Sequence, residues 1–132
     1  MRKRRDTREA YQRVIPKAWD GFDSTDTSLI KSAIKGVWRK LTGKPCPYAV
    51  VVNPRVRHAW RHYESGHRRG RVYVDGRYVV SFNPKQGLQS TVHSVTHFIH
   101  SRLFPNDQPH SARHLEMERV AGEYVVKRFR SA

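Results

Sequence analysis

A chain of 132 residues has the length of one domain, and its 26 Lys and Arg against 11 Asp and Glu give a formal net charge of +15. Apolar content of 37% with 11% aromatics suits a folded domain rather than a disordered chain, and no apolar run approaches the ~20 residues of a membrane span. The single cysteine, Cys46, excludes an internal disulfide and a cysteine-rich metal site and points to a reducing, intracellular setting, cytoplasmic or nucleoid-associated.

Residues 1–9 read as a basic arm with no apolar stretch behind it, unlike a secretory signal. AYQRVIPKAW has helical spacing interrupted by Pro16, a short or broken helix that completes an N-terminal portion over 1–26. A single α+β domain is expected over 27–132. Asp26 is the N-cap of a helix over 27–41, with Ile30, Ala33, Ile34, Val37, Trp38 and Leu41 on one face and Gly43 and Pro45 closing it. YAVVV (48–52) reads as a strand, and 55–70 as a basic, irregular loop anchored by Trp60 and Tyr63. RVYVDGRYVVSF reads as a hairpin around Asp75-Gly76. Helices over about 88–103 and 111–130 follow, separated by FPNDQP. The expected architecture is a small antiparallel sheet with a hairpin, packed on about three helices.

The charge implies a polyanionic partner. Arginines cluster at Arg2, Arg4, Arg5 and Arg8, and again at Arg55, Arg57, Arg61, Arg68, Arg69, Arg71 and Arg77, where Trp60, Tyr63, Tyr73 and Tyr78 are interleaved. That pattern suits phosphate-backbone contact with aromatics available for base stacking. The residues assigned to nucleic acid are Arg2, Lys3, Arg4, Arg5, Arg68, Arg69 and Arg71, with DNA preferred to RNA. Another polyanion, or a merely solvated basic face, is the plainer alternative. Nothing in the sequence indicates an oligomeric state.

Five histidines fall between 93 and 114 in TVHSVTHFIHSRLFPNDQPHSARHLE. Leu88, Val92, Val95, Ile99 and Leu103 form the apolar stripe of one helix. His93, His97 and His100 run beside it, displaced by one residue, or about 100°. Residues four apart on a helix have Cβ atoms about 5–6 Å apart, so His93 and His97 can share a zinc ion at Zn–N distances of about 2.0–2.1 Å. His100 lies about 10.5 Å along the axis from His93 and belongs behind the ligands or at the surface. A third ligand is His110 in the loop or His114 in the first turn of the last helix. His114 is preferred, because His114, Glu118, Ala121 and Val125 mark an inward face. Glu118 is open as a fourth ligand, an acceptor for a histidine N–H, or a carboxylate facing water. His58, His62 and His67 read as part of the basic surface. With eight histidines in the chain, a pair four apart is by itself weak; its place beside a buried stripe makes it a candidate metal site of His93, His97 and His114.

The order of helix, strand, basic loop ending HRRGRVYV, VVSFNP and then VVSFNPKQGLQSTVHSVTHFIH with PHSARHLEME resembles the SprT-type (Spartan-type) zincin-like metallopeptidase domain over roughly 27–128. The resemblance implies a zincin-like fold, zinc held by His93 and His97 in the paired positions, and His110 or His114 as the third ligand. It also exposes a departure. Where that family carries a glutamate after the first histidine, this chain has Ser94, which offers no carboxylate base. General acid–base catalysis contributes about 10²–10⁴-fold, so ordinary peptidase activity should be severely reduced unless Glu118 serves as a catalytic substitute. The expected function is therefore a degenerate zincin-like metal-binding protein that associates with nucleic acid. The alternative is an active zinc-dependent peptidase acting on DNA-associated proteins. A metal-dependent nuclease ranks below both, because the basic loop offers few carboxylates for a hard ion. By analogy, a small basic protein of this kind suits a phage or mobile-element setting, virion-associated in the former case.

Overall fold

The computed structural model describes residues 16–55, 60–63 and 79–130. Helix α1, Thr27–Thr42, is fixed chemically at both ends. The Asp26 carboxylate accepts the Leu29 N–H at 2.8 Å, satisfying a donor that the first turn leaves without a helical partner. At the other end Gly43 takes φ 75°, the left-handed conformation that costs glycine no Cβ clash, and its N–H donates to the Arg39 carbonyl at 2.8 Å. Ile30, Ala33, Ile34, Val37 and Trp38 are buried as their spacing predicts, while Leu41 is half-buried at the rim. Each fully buried Ile or Val stabilises the fold by about 1.5–3 kcal/mol. Ahead of α1, residues 16–19 form one helical turn with Ala18 and Trp19 buried.

Among the described residues the sheet has three strands in the order β1 (Ala49–Val52), β3 (Val79–Phe82), β2 (Trp60–Tyr63). Strand β3 pairs parallel with β1, Ala49 opposite Val79 and Val52 opposite Phe82, and antiparallel with β2, Trp60 opposite Phe82 and Tyr63 opposite Val79. The domain is α+β as expected, but its sheet is mixed, not antiparallel. Residues 60–63, expected to be irregular, supply a strand. The cause is β3: Val80, Ser81 and Phe82 are fully buried, and a strand that leaves water on both faces pairs along both edges to satisfy its backbone. The first strand of the expected hairpin and its Asp75-Gly76 turn lie outside the described residues, as does the N-terminal arm.

From β3 the chain enters α2 through a short 3₁₀ turn, Pro84–Gln86, in which Asn83 accepts the Lys85 N–H at 3.0 Å. Helix α2, Leu88–Leu103, buries Leu88, Val92, Val95 and Ile99 against α1 and the sheet. Leu103, expected in the same stripe, is 44% exposed because the helix ends there, past the elements that cover its other apolar residues. Asp23 and Phe22 brace the start of α2, accepting hydrogen bonds from the Gln89 backbone N–H and its side-chain amide at 3.0 and 2.8 Å. Helix α3, Ala112–Phe129, packs on both α1 and α2. Its C-terminal Arg130 grips Asp20 through the carboxylate at 2.7 Å and the carbonyl at 2.9 Å. Trp38, Tyr48 and Phe98 form an aromatic cluster with ring centroids 5.0–5.7 Å apart. Among the described residues no helix is long and apolar enough to cross a membrane.

Candidate metal centre

The site lies where α2, the loop after it and the first turns of α3 meet. Helical periodicity sets two rings side by side on α2: His93 and His97 have centroids 4.6 Å apart, edge to face. Helix α3 turns His114 and Glu118 inward, with only 0% and 1% of each residue exposed. The His114 ring comes within 4.2 Å of the His97 ring, centroid to centroid. The intervening loop adds His110, whose ring lies 4.8 Å from that of His97.

Glu118 connects the two helices. Its Oε2 is 3.1 Å from His93 Nδ1 and 3.0 Å from His114 Nε2. Burial alone would raise its pKa, but the hydrogen bonds from His114 and His93 outweigh burial and hold the carboxyl below its ordinary value. His97 moves the other way: burial, then the neighbouring rings of His114 and His93, push it down to about 3. At neutral pH its imidazole is therefore uncharged and keeps a lone pair for a Lewis acid.

Among the described residues two overlapping groups could hold a metal ion: His93, His97 and His110, all half-buried, and His97, His114 and Glu118, mostly buried. Within each group the donor atoms lie within 4.8 Å of one another. A tetrahedral ion with bonds of 2.0–2.1 Å separates its donors by about 3.4 Å, a contraction within reach of side-chain rotation. Imidazole and carboxylate donors together suit a borderline divalent cation. A cleft of about 320 Å³ lined by Trp19, Asp23, Gln86, Gln89, Ser90 and His93 opens beside the first ring.

The structure thus gathers His93, His97, His114 and Glu118 as their spacing anticipates, and brings in His110 as well. Of its two expected places, His100 takes the one behind the ligands and not the surface. It is 2% exposed, its ring stacks on His114 at 4.7 Å, and its Nε2 lies 2.7 Å from Asp107 Oδ2. The same Asp107 oxygen accepts the Ser111 hydroxyl at 2.6 Å, and Ser111 Oγ accepts the His114 N–H at 3.1 Å. The Ser111 and His100 hydrogen bonds hold the Asp107 carboxyl below its ordinary range. This chain of contacts clips the loop to α2 and sets the start of α3. Sequence reading missed it, although Asp107 four residues before the Ser111 cap was its signal.

Arg2, Lys3, Arg4, Arg5, Arg68, Arg69 and Arg71 lie outside the described residues, as do His58 and His67. Sequence reading also passed over the cations of α1. Lys31, Lys35 and Arg39 recur every four residues on a helix that contains no acidic residue, and none of them forms an ion pair among the described residues. On α3, by contrast, Arg119 is paired with Glu116 and Glu123. No protein-family model, curated protein or solved structure matches the chain.

Proposed function

We propose that this protein is a zincin-like metal-binding protein that holds zinc between α2 and the start of α3 and associates with nucleic acid, DNA in preference to RNA, through its basic surface. The observation that carries the reading is Glu118, a 1% exposed carboxylate within hydrogen-bond distance of histidines from two helices. A buried charge is retained only where it is paired, and a carboxylate behind a histidine is the usual support of a zinc ligand. Zinc, when bound, supplies Lewis acidity that polarises a carbonyl and acidifies a water. The protein's own contribution is to place imidazole rings around one point and keep them oriented.

Ser94 favours binding over hydrolysis, since it puts no carboxylate beside His93. Zinc-dependent peptidase activity on DNA-associated proteins is the second reading, supported by Glu118 reaching the cluster from the other helix. Elemental analysis of untagged protein tests the metal: about one zinc per chain is expected, lost in the His93→Ala, His97→Ala double variant. Equal metal content in the two proteins would sink the site. Digestion of a DNA-bound basic protein by the wild type but not by Glu118→Gln would turn the reading to the peptidase.

The polyanionic partner rests on the net charge of +15 and on the row of cations along α1, which form no ion pair among the described residues. Successive residues of that row are separated by about 6 Å along the helix axis, a spacing that lets each meet a different phosphate. Neutralising Arg68, Arg69 and Arg71 should weaken DNA binding and flatten its dependence on salt. An unchanged salt slope would remove that segment from the interface.

A further inference from the structure

Resting on the reading of a metal centre just given, we propose that His110, not His114, completes the ligand set with His93 and His97, and that His114 and Glu118 form a buried brace that orients His93 towards the ion. The backbone N–H of His110 points at His114 Nδ1 across 2.7 Å. A peptide N–H can only donate, so that ring nitrogen must be the acceptor and carry no proton. The proton of the neutral imidazole is then on Nε2, 3.0 Å from the Glu118 oxygen. Both nitrogens of His114 are committed. Binding a metal through Nε2 would require moving the proton to Nδ1, where it would face another donor.

His110 is built for the exposed role. It takes φ 63°, a left-handed conformation rare outside glycine, and that backbone turn is what aims its N–H at His114. The same residue therefore locks the brace with its main chain and offers its ring to the cluster. Its ring and those of His93 and His97 make a half-buried three-imidazole group, a donor set that would leave a bound zinc its fourth position for water or substrate.

Glu118 acts one step further back. With Oε2 3.1 Å from His93 Nδ1, the carboxylate accepts a hydrogen bond from Nδ1–H, which leaves Nε2 as the nitrogen available to the metal. His114, buried between the His97 and His100 rings, holds the carboxylate in place. Glu118 is a positioning residue in this arrangement and not a ligand.

The test is cobalt(II) and zinc affinity, measured by chelator competition on the full chain stripped of metal, for the wild type, His110→Ala, His114→Gln and Glu118→Gln. Glu118→Gln and His114→Gln should bind one metal per chain with affinity about 10–100-fold lower and keep the cobalt visible spectrum of the wild type. His110→Ala should lose more affinity than either and change that spectrum. Wild-type affinity in His110→Ala, or a changed spectrum in Glu118→Gln, would overturn the assignment. Because His114 is buried and its variant can fail to fold, ¹⁵N spectra of the wild-type imidazoles give a second readout. Zinc should shift nitrogens of His93, His97 and His110 while His114 stays protonated at Nε2; a zinc-shifted nitrogen on His114 would refute the proposal. Absence of metal binding by the wild type would instead bring down the metal centre itself, and this ligand set with it.

Discussion

The Glu118 carboxylate, 1% exposed on α3, lies 3.1 Å from Nδ1 of His93, a ring 37% exposed on α2. One end of this contact is in the core and the other is at the surface, so the position of a surface ring is dictated from inside the protein. Removing the buried end should cost more than removing the exposed one. Glu118→Ala leaves the His114 N–H without its acceptor and opens a void, so metal-free protein should lose about 3 kcal/mol in urea unfolding. A loss below about 1 kcal/mol, the level of an exposed pair, would mean that the contact does not hold the two helices together.

His97 contributes to the pH dependence of stability in the metal-free protein. Its folded value, pushed down to about 3 chiefly by burial and then by the His114 and His93 rings, lies below the ordinary imidazole value of about 6.5. Between those values the unfolded chain binds more protons than the folded one, so stability rises with pH. The contribution should be fully present above pH ~6.5 and decline progressively as the pH falls towards 3. Thermal melts of His97→Gln should show a shallower slope between about pH 6.5 and 5, above the carboxylate range. Parallel slopes for variant and wild type would contradict the assignment.

Ser111 links the loop to the last helix by accepting from the His114 N–H and donating to Asp107. Ser111→Ala removes both bonds, and loss of a helix N-cap costs about 0.5–2 kcal/mol. Chemical denaturation should show a loss within that range. Amide exchange should quicken at Asp107 and Ser111, whose N–H groups bond within the loop to Phe104 and Gln108, before it quickens in α2. Uniform quickening across the domain would mean that the cap stabilises the whole fold without any special hold on the loop.

Gly36 stands where α1 meets α3. A methyl group there would collide with the Tyr124 ring and hydroxyl. Alanine gains about 1 kcal/mol over glycine in helix propensity, whereas overpacking costs about 1–3 kcal/mol. The severity of the collision decides the sign, and Gly36→Ala should lower the melting temperature. Combining it with Tyr124→Ala should relieve the clash, so that the pair is less harmful than the sum of the single changes.

The three long helices were legible because each follows a 3.6-residue apolar period and the first begins at a recognisable cap, Asp26. The inward face of α3 followed from the same arithmetic, including His114 and Glu118. The sheet was only partly legible. A strand pairs with whatever segment reaches its edge, and a basic tetrapeptide such as Trp60–Tyr63 carries no alternation that marks it as a partner for β3. At the candidate site, residue identities could be read but atom-level roles could not. That His114 Nδ1 faces a peptide N–H depends on the backbone turn at His110, which no side-chain pattern announces. For a related reason the spacing leaves His100 between a place behind the ligands and one at the surface, since nothing in the sequence shows that its acceptor, Asp107, folds onto it.

The parallel pairing of β1 with β3 has a kinetic consequence. Val52 cannot find Phe82 until the long connection between the two strands has closed, and loop closure is an entropic cost met before any contact rewards it. Helices α2 and α3 meet across a short loop and can dock early. The order of assembly should follow, with the helical pair forming in the transition state and the sheet closing on the downhill side. Val50→Ala, at a buried position of β1, should therefore speed unfolding and leave the folding rate nearly unchanged, whereas Val95→Ala, buried on α2, should slow folding. The histidines would then be gathered before the sheet beside them exists.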